Sequence, residues 1–291
     1  MPHRNTAAIA LCYGGDAILF DCGEGTQVQL MKSSVRASRF RAIALTHFHG
    51  DHCNGLPGLV GTMGLNGYDE SLTVIGPKGL SQWLETLRQL QILTPGFPLQ
   101  LVEHGGDDLV LRGEGFSVRS VPVIHRVPTV GYRFDEDDMV GRFDLEAARA
   151  LEIPPGPLYG ELQRGRAVTL ADGRVVTPEQ VMGPTRKGRR VAYITDTRPS
   201  PKVIDFVRGV DVLIHEATYL DEERTQARQR YHSTAKQAAE IAREAGVGQL
   251  ILTHFSSMYV KTSPLVQEAR AIFPNTVAAK DFFEWTVPVP E

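Results

Sequence analysis

The chain has 291 residues, 42% of them hydrophobic, and a formal net charge of −3. Such a length holds a full core in one large α/β domain, and the composition is that of a soluble globular protein rather than a disordered or fibrous one. The charge excludes a globally basic nucleic-acid binder but leaves room for a local basic patch. No apolar run reaches the roughly 18 residues of a membrane span. The N-terminal MPHRNTAAIALCYGGD is broken too soon for a secretory signal, so a cytoplasmic location is expected. Cys12, Cys22 and Cys53 are an odd set without C-x-x-C spacing, which argues against a disulfide framework and a thiolate zinc site.

In chain order, TAAIALCY, DAILFDC, FRAIALT, LTVIGP, FSVRSVPVI, VAYITDT, DVLIHEAT and QLILTHF are predicted strands, apolar runs closed mostly by Gly, Asp, Thr or His. PKGLSQWLETLRQL, STAKQAAEIAREAG and SPLVQEARAIF carry apolar residues at helical spacing, the second opening on a Ser/Thr cap and closing at Gly246. Strands interleaved with helices predict an α/β protein in layers. Met139 to Arg190 differs: it contains IPPGPLYG, a small hairpin VTLADGRVVTP turning at Ala171-Asp172-Gly173, and the basic run TRKGRR. Proline-rich and strand-poor, this insert is expected to protrude as an arm. No internal repeat is present.

The chemistry is concentrated in THFHGDH, residues 46 to 52, just past the end of a predicted strand. His47 and His49 alternate, so in an extended segment both imidazoles face one side. Gly50 is expected to let the backbone turn, so that Asp51 and His52 address a second point. Imidazole nitrogens and carboxylate oxygens suit zinc, and also manganese or iron, but two histidines under-coordinate any of them. His125, Asp196 and His254 each follow an apolar run. If they converge, His47, His49 and His125 hold one ion, Asp51, His52 and His254 hold a second, and Asp196 bridges. Two divalent ions about 4 Å apart are a general device for hydrolysing phosphodiesters. A lone histidine at a strand end is ordinarily structural; the clustered loop is what changes that reading. His3 and His104 lack such a context and are expected at the surface, and Cys53 is expected to pack rather than ligate.

THFHGDHCNGLPGL resembles the metallo-β-lactamase-fold signature, and its GLPGL continuation resembles the ribonuclease Z family, the tRNA 3′-processing endonucleases. FDCGEGTQVQL, PPGPLYGELQRG, AYITDTRP, LIHEATY, YHSTAKQAAEIAREAGV and LTHFSSMY are similar to that family in the same order, across nearly the whole chain. The resemblance implies a metallo-β-lactamase αββα sandwich with an inserted flexible arm, two zinc ions per chain, and a homodimer acting on precursor tRNA. It further implies that Asp51 helps to deprotonate the attacking water and that His232 protonates the leaving 3′ oxygen, with Glu216 orienting it as a carboxylate–imidazole pair. Taken without the family, Glu216 is a buried strand-end carboxylate and His232 a residue before a helix cap. Ser233 and Thr234 open that helix, so their N–H groups either cap it or hold a phosphate. His215, next along the strand from Glu216, is expected to face the other way and be structural.

The arm, residues 139 to 190, is implied to grip the tRNA through the segment holding Pro155, Gly156 and Pro157. Arg186, Lys187, Arg189 and Arg190 either bind backbone phosphate or form a solvated charged turn. One departure stands out: relatives of this type begin with a further strand and a glycine-rich loop, whereas this sequence starts at Met1-Pro2-His3-Arg4-Asn5, so a single domain lacking the usual first strand is expected over 1–291. Two rivals remain, a small-molecule metallohydrolase on the same fold and a non-catalytic RNA-binding subunit. The arm and the HEAT and HST segments favour the nuclease over the first, and the intact ligand set speaks against the second.

Overall fold

The computed structural model describes residues 4–289; His3 lies outside them. β1 (Ile9–Tyr13), β2 (Asp16–Phe20), β3 (Phe40–Ala44), β4 (Leu72–Pro77) and β5 (Leu99–His104) form a five-stranded sheet in that order. β1 and β2 are antiparallel and the rest parallel. Between these strands lie α1 (Thr26–Leu30), α2 (Gly50–Cys53), α3 (Leu56–Leu65) and α4 (Leu80–Gln89). β6 (Leu109–Gly113), β7 (Phe116–Pro122) and β8 (Val130–Glu136) begin a second sheet.

Residues 135–189 form a compact unit of their own. It contains α5 (Leu145–Ala150), α6 (Pro157–Gln163) and an antiparallel hairpin of β9 (Val168–Thr169) and β10 (Val175–Val176). The segment expected as a strand-poor arm therefore has a small core: Ala148, Ile153, Leu162, Val168, Leu170, Val176 and Val181 are buried together. Its hairpin turns where the sequence placed it, with Gly173 at φ +86°.

The chain then supplies β11 (Arg190–Ile194), α7 (Pro201–Phe206), β12 (Val212–Glu216), α8 (Arg224–Arg230), α9 (Ala235–Ala245), β13 (Gln249–Thr253), α10 (Ser263–Arg270) and β14 (Thr276–Ala278). The second sheet has seven strands in the order β14-β13-β12-β11-β8-β7-β6, with β11 to β14 parallel. Alternation along the strands builds the layers. In β2, Ala17 and Leu19 pack toward α3 and α4, while Ile18 and Phe20 face Tyr132 and Tyr193 of the other sheet. In β11, Tyr193 faces the first sheet, while Ala192 and Ile194 pack on the outer helices with Ala238, Ala239 and Ala242 of α9. Small side chains on the buried face of α9 let it lie close to the sheet. The result is the αββα sandwich, with helices covering both outer faces. No helix is long and apolar enough to cross a membrane, among the described residues.

Every predicted strand and helix is present. β5, β6, β8 and β14, and the helices following the histidine loop, went unread. His104 is corrected: it is buried, with Nδ1 3.1 Å from Ser120 Oγ and Nε2 3.3 Å from Tyr132 Oη.

Candidate metal centre and active site

The histidine loop is held by backbone before any metal is considered. Past β3, the N–H and hydroxyl of Thr46 donate to Asp21 Oδ1 at 2.7 and 2.9 Å. The Cys22 N–H donates to the His52 carbonyl at 2.7 Å, and the Gly55 N–H to that of Cys22 at 2.8 Å. This approach is close enough to require glycine, since a Cβ on Gly23 would lie 2.2 Å from the Asp51 carbonyl oxygen and one on Gly55 2.1 Å from that of Gly23. Gly50, expected as the pivot of a turn, has no left-handed φ; it opens α2, where a Cβ would meet the Asn54 side chain at 2.4 Å. One helical turn then carries Asp51 and His52.

The other strand ends deliver the remaining groups. Donor atoms of His47, His49, His125 and Asp196 lie within 4.8 Å of one another, as do those of Asp51, His52 and His254. Asp196 joins the sets: its Oδ2 is 3.7 Å from both His47 Nε2 and His125 Nε2. Its Oδ1 is 3.4 Å from His52 Nε2 and 3.2 Å from His254 Nε2. Asp196 at φ +42°, His254 at φ +53° and Asp21 at φ +59° hold left-handed backbone that non-glycine residues avoid. Such strain costs about 1–2 kcal/mol per residue and collects at functional sites.

These residues fit a pair of divalent ions. His52 Nε2 is buried without a hydrogen-bond partner among the described residues while its Nδ1 is 2.8 Å from Asp21 Oδ2, so the ring is anchored at one end and open at the other. His125 Nδ1 lies 3.2 Å from the Tyr231 carbonyl, and His254 Nδ1 3.0 Å from Thr218 Oγ1. Each outer partner fixes a ring so that Nε2 faces the cluster, the arrangement typical of metal-bound histidine. His47 Nε2 and His49 Nδ1 sit 3.0 Å apart, a crowding of nitrogens that a shared cation relieves.

The electrostatics agree with that crowding. Burial, then the neighbouring His52, pushes His47 down to about 2. Burial also opposes charge on His254, but the neighbouring carboxylates of Asp196, Asp51 and Glu216 outweigh it and lift the ring to about 10. The neighbouring His254 holds Asp51 well below the usual carboxylate range. Burial raises Asp196, yet His254, His52 and His47 together bring it below its ordinary value.

Beside the donors lies a proton-handling pair. Glu216, fully buried at the end of β12, accepts the Thr197 N–H at 2.6 Å and stands 3.0 Å from His232 Nδ1. Burial would raise its pKa, but His232 draws it down. His232 is thereby left with Nε2 for the cavity. That cavity, of about 380 Å³, is lined by His49, His125, Arg126, Arg230 and His232.

All seven sequence-derived donors, together with His232 and Glu216, thus converge. Of the two roles expected for Ser233 and Thr234, the cap of α9 is the one seen for Thr234: its N–H donates to Gln237 Oε1 at 3.0 Å and its hydroxyl accepts the Gln237 N–H, while the hydroxyl of Ser233, buried beside it, donates to the Thr197 carbonyl at 2.6 Å. In the unit 135–189, Pro155, Gly156 and Pro157 are exposed, Pro157 opening α6. Lys187 is exposed, and Arg186 is half-buried and bridges Met139. Arg189 is committed to Glu136, its Nε 2.7 Å and Nη2 3.0 Å from the carboxylate, so it is no free phosphate ligand. Arg190 lies on β11, where its N–H donates to Asp211. His215 is buried with Nδ1 2.7 Å from the Glu216 carbonyl, and Cys53 packs in the apolar layer. Sequence reading missed Asp21, Thr46, Thr218 and Tyr193, whose hydroxyl donates to Asp21 Oδ2 at 2.9 Å. Asp21 carried the same signal as the ligands, an acid closing a predicted strand.

The beta-lactamase superfamily domain model matches residues 16–143 and 158–255. A ribonuclease Z from Gloeothece citriformis is 45% identical over 294 residues, covering 98% of this chain and 92% of that protein. One from Parasynechococcus marenigrum is 44% identical, covering 98% of this chain and 93% of its own. The crystal structure of human tRNase Z, short form, superposes with a TM-score of 0.70 at 27% identity, covering 99% of this chain and 95% of that one. With the superfamily model spanning most of the chain and these relatives matching it end to end, the chain belongs to the ribonuclease Z family of the beta-lactamase superfamily and is a hydrolytic endoribonuclease.

Proposed function

We propose that this protein is a zinc-dependent endoribonuclease that removes the 3′ trailer from precursor tRNA, leaving a 3′-hydroxyl on the tRNA and a 5′-phosphate on the trailer. The observation that carries this reading is the approach of half-buried His232, paired with the buried Glu216, to two donor sets joined by Asp196. His47, His49, His125 and Asp196 would hold one ion, and Asp51, His52, His254 and Asp196 the other. Two such ions would supply Lewis acidity toward the phosphate and make water more acidic.

The chain's own groups carry the proton traffic. Asp51, with Oδ2 3.6 Å from His52 Nε2 and 3.8 Å from His254 Nε2, would accept the proton of the attacking water. As the P–O3′ bond breaks, His232 Nε2 gives its proton to the leaving oxygen, and Glu216 holds the ring in line through Nδ1. Arg126 and Arg230 on the cavity wall meet the charge of the phosphate. The unit at 135–189 is read as the tRNA-gripping arm, serving the substrate of the partner in a homodimer, in the cytoplasm.

The test is incubation of zinc-loaded protein, beside Asp51→Ala, with a 3′-extended precursor tRNA, mapping both new ends. One cut near the acceptor stem with a 3′-hydroxyl and a 5′-phosphate, absent in the variant, supports the reading. Intact RNA in the presence of bound zinc sinks it, and a small-diester hydrolase becomes the better description.

A further inference from the structure

Two helices end with almost the same backbone and different residues. α9 closes on Gly246 at φ +63°, ψ +42°, the usual residue for a left-handed cap; α8 closes on Tyr231 at φ +65°, ψ +41°. A tyrosine there is strained, so its ring must contribute something that glycine cannot. The guanidinium of Arg198 sits over that ring, its Cζ 3.7 Å from the ring centre, with Nε donating to the Arg228 carbonyl at 2.7 Å. The stack fixes Arg198 while its two terminal nitrogens keep no protein acceptor among the described residues.

Arg198 is one wall of a second cavity, of about 300 Å³, that also includes Arg224, Arg228 and His232. Arg224 and Arg228 are four apart on α8, a like-charge spacing that costs stability on a helix. Arg224 is relieved by Asp221 at 2.6 Å, while Arg228 has no carboxylate partner among the described residues. Two uncompensated guanidiniums, one of them preset by stacking, thus face a cavity that shares His232 with the first one.

We propose that Arg198 and Arg228, with Tyr231 as platform, bind a second backbone phosphate of the RNA, the one immediately 5′ of the scissile phosphate. This rests on the nuclease reading above. The leaving 3′ oxygen at His232 belongs to the upstream nucleotide, so the strand leads from that oxygen to the same nucleotide's 5′ phosphate. A planar guanidinium suits bidentate phosphate contact, and two charges at one phosphodiester position the strand without reading sequence.

The experiment uses a 3′-extended acceptor-stem RNA with its natural backbone or with one uncharged methylphosphonate immediately 5′ of the cleavage point. Cleavage and, by fluorescence anisotropy, binding are measured for the zinc-loaded wild type, Arg228→Gln and Tyr231→Gly. Arg228 is exposed, and glycine is favoured in the Tyr231 backbone conformation, so both variants should fold. Wild type is expected to lose about tenfold in affinity when the linkage is neutralised, a factor of the size carried by one charge-assisted contact. Each variant should lose a similar factor on natural RNA and become nearly indifferent to the neutral linkage. An undiminished penalty in the variants, or none in wild type that cuts natural RNA, overturns the phosphate site alone. Wild type that binds but leaves natural RNA uncut defeats the nuclease reading, while the binding arm still decides the pocket. If it neither binds nor cuts, both fall.

Discussion

Asp21 Oδ2 lies 2.8 Å from Nδ1 of His52, and both side chains are fully buried. The same carboxylate accepts from Thr46 and Tyr193, so it organises the floor of the site without being one of its donors. Asp21→Asn keeps the shape but loses the charge. Zinc affinity should fall about 10- to 100-fold and unfolding free energy by about 1–3 kcal/mol. Zinc competition titration and denaturant melts check the two effects; undiminished affinity would show that His52 needs no anchor.

Glu216 and His232 should behave as one unit. His232→Ala and Glu216→Gln are each expected to lower kcat by about 10²–10⁴-fold, and the double variant by little more than the worse single one. Zinc content should be retained in both. Multiplicative losses in the double variant would mean that Glu216 does not act through the imidazole.

The pH dependence of the metal-stripped protein follows from opposed histidines. His47 is pushed down to about 2 from an ordinary 6.5, so below 6.5 the unfolded chain takes up a proton that the folded chain refuses, and stability falls as pH falls. His254 is lifted to about 10, so its contribution is complete below 6.5 and is lost as pH rises through 10. Thermal melts of stripped protein should therefore peak near 6.5. Zinc binds neutral imidazole, so loading should flatten the alkaline limb. A stripped protein whose stability climbs steadily to pH 9 contradicts the assignment.

Thiol chemistry separates the three cysteines. Cys12 is exposed on β1, whereas burial pushes Cys53 up to about 12 and Cys22 further above its ordinary 9.0. A disulfide reagent at pH 8 should titrate one thiol in native protein and three in denaturant. Rapid labelling of Cys53 would show that the histidine loop opens in solution.

The unit 135–189 can be excised at a natural seam. Met139 and Arg186 exchange backbone hydrogen bonds of 2.9 Å in both directions, the pattern at the mouth of a hairpin. Replacing residues 140–185 with Asn-Gly should close that hairpin. Deleting only 150–180 would instead strand Ala148 and Val181 of its core. The excised protein should lose far more activity on precursor tRNA than on a small diester; equal losses on both would deny the unit a substrate-gripping role.

The sequence by itself determined the strands that lead into the candidate site, the α9 helix and the seven residues whose donor atoms converge there, because each is a local pattern: an apolar run ended by a polar residue, or a 3.6-residue repeat with a cap. It also marked the hairpin at Gly173. It could not separate β6, β8 or β14 from loops, since their pairing depends on distant partners. Nor could it foresee that 135–189 buries a core of its own, that Arg189 is taken by Glu136, or that His104 lies inside. Tertiary structure alone decided which polar groups meet. Asp21 and His52 are 31 positions apart, Glu216 and His232 16, and Tyr193 and Asp21 172. Strand ends are local, but the point where they converge is set by how two twisted sheets pack, which no short window of sequence records.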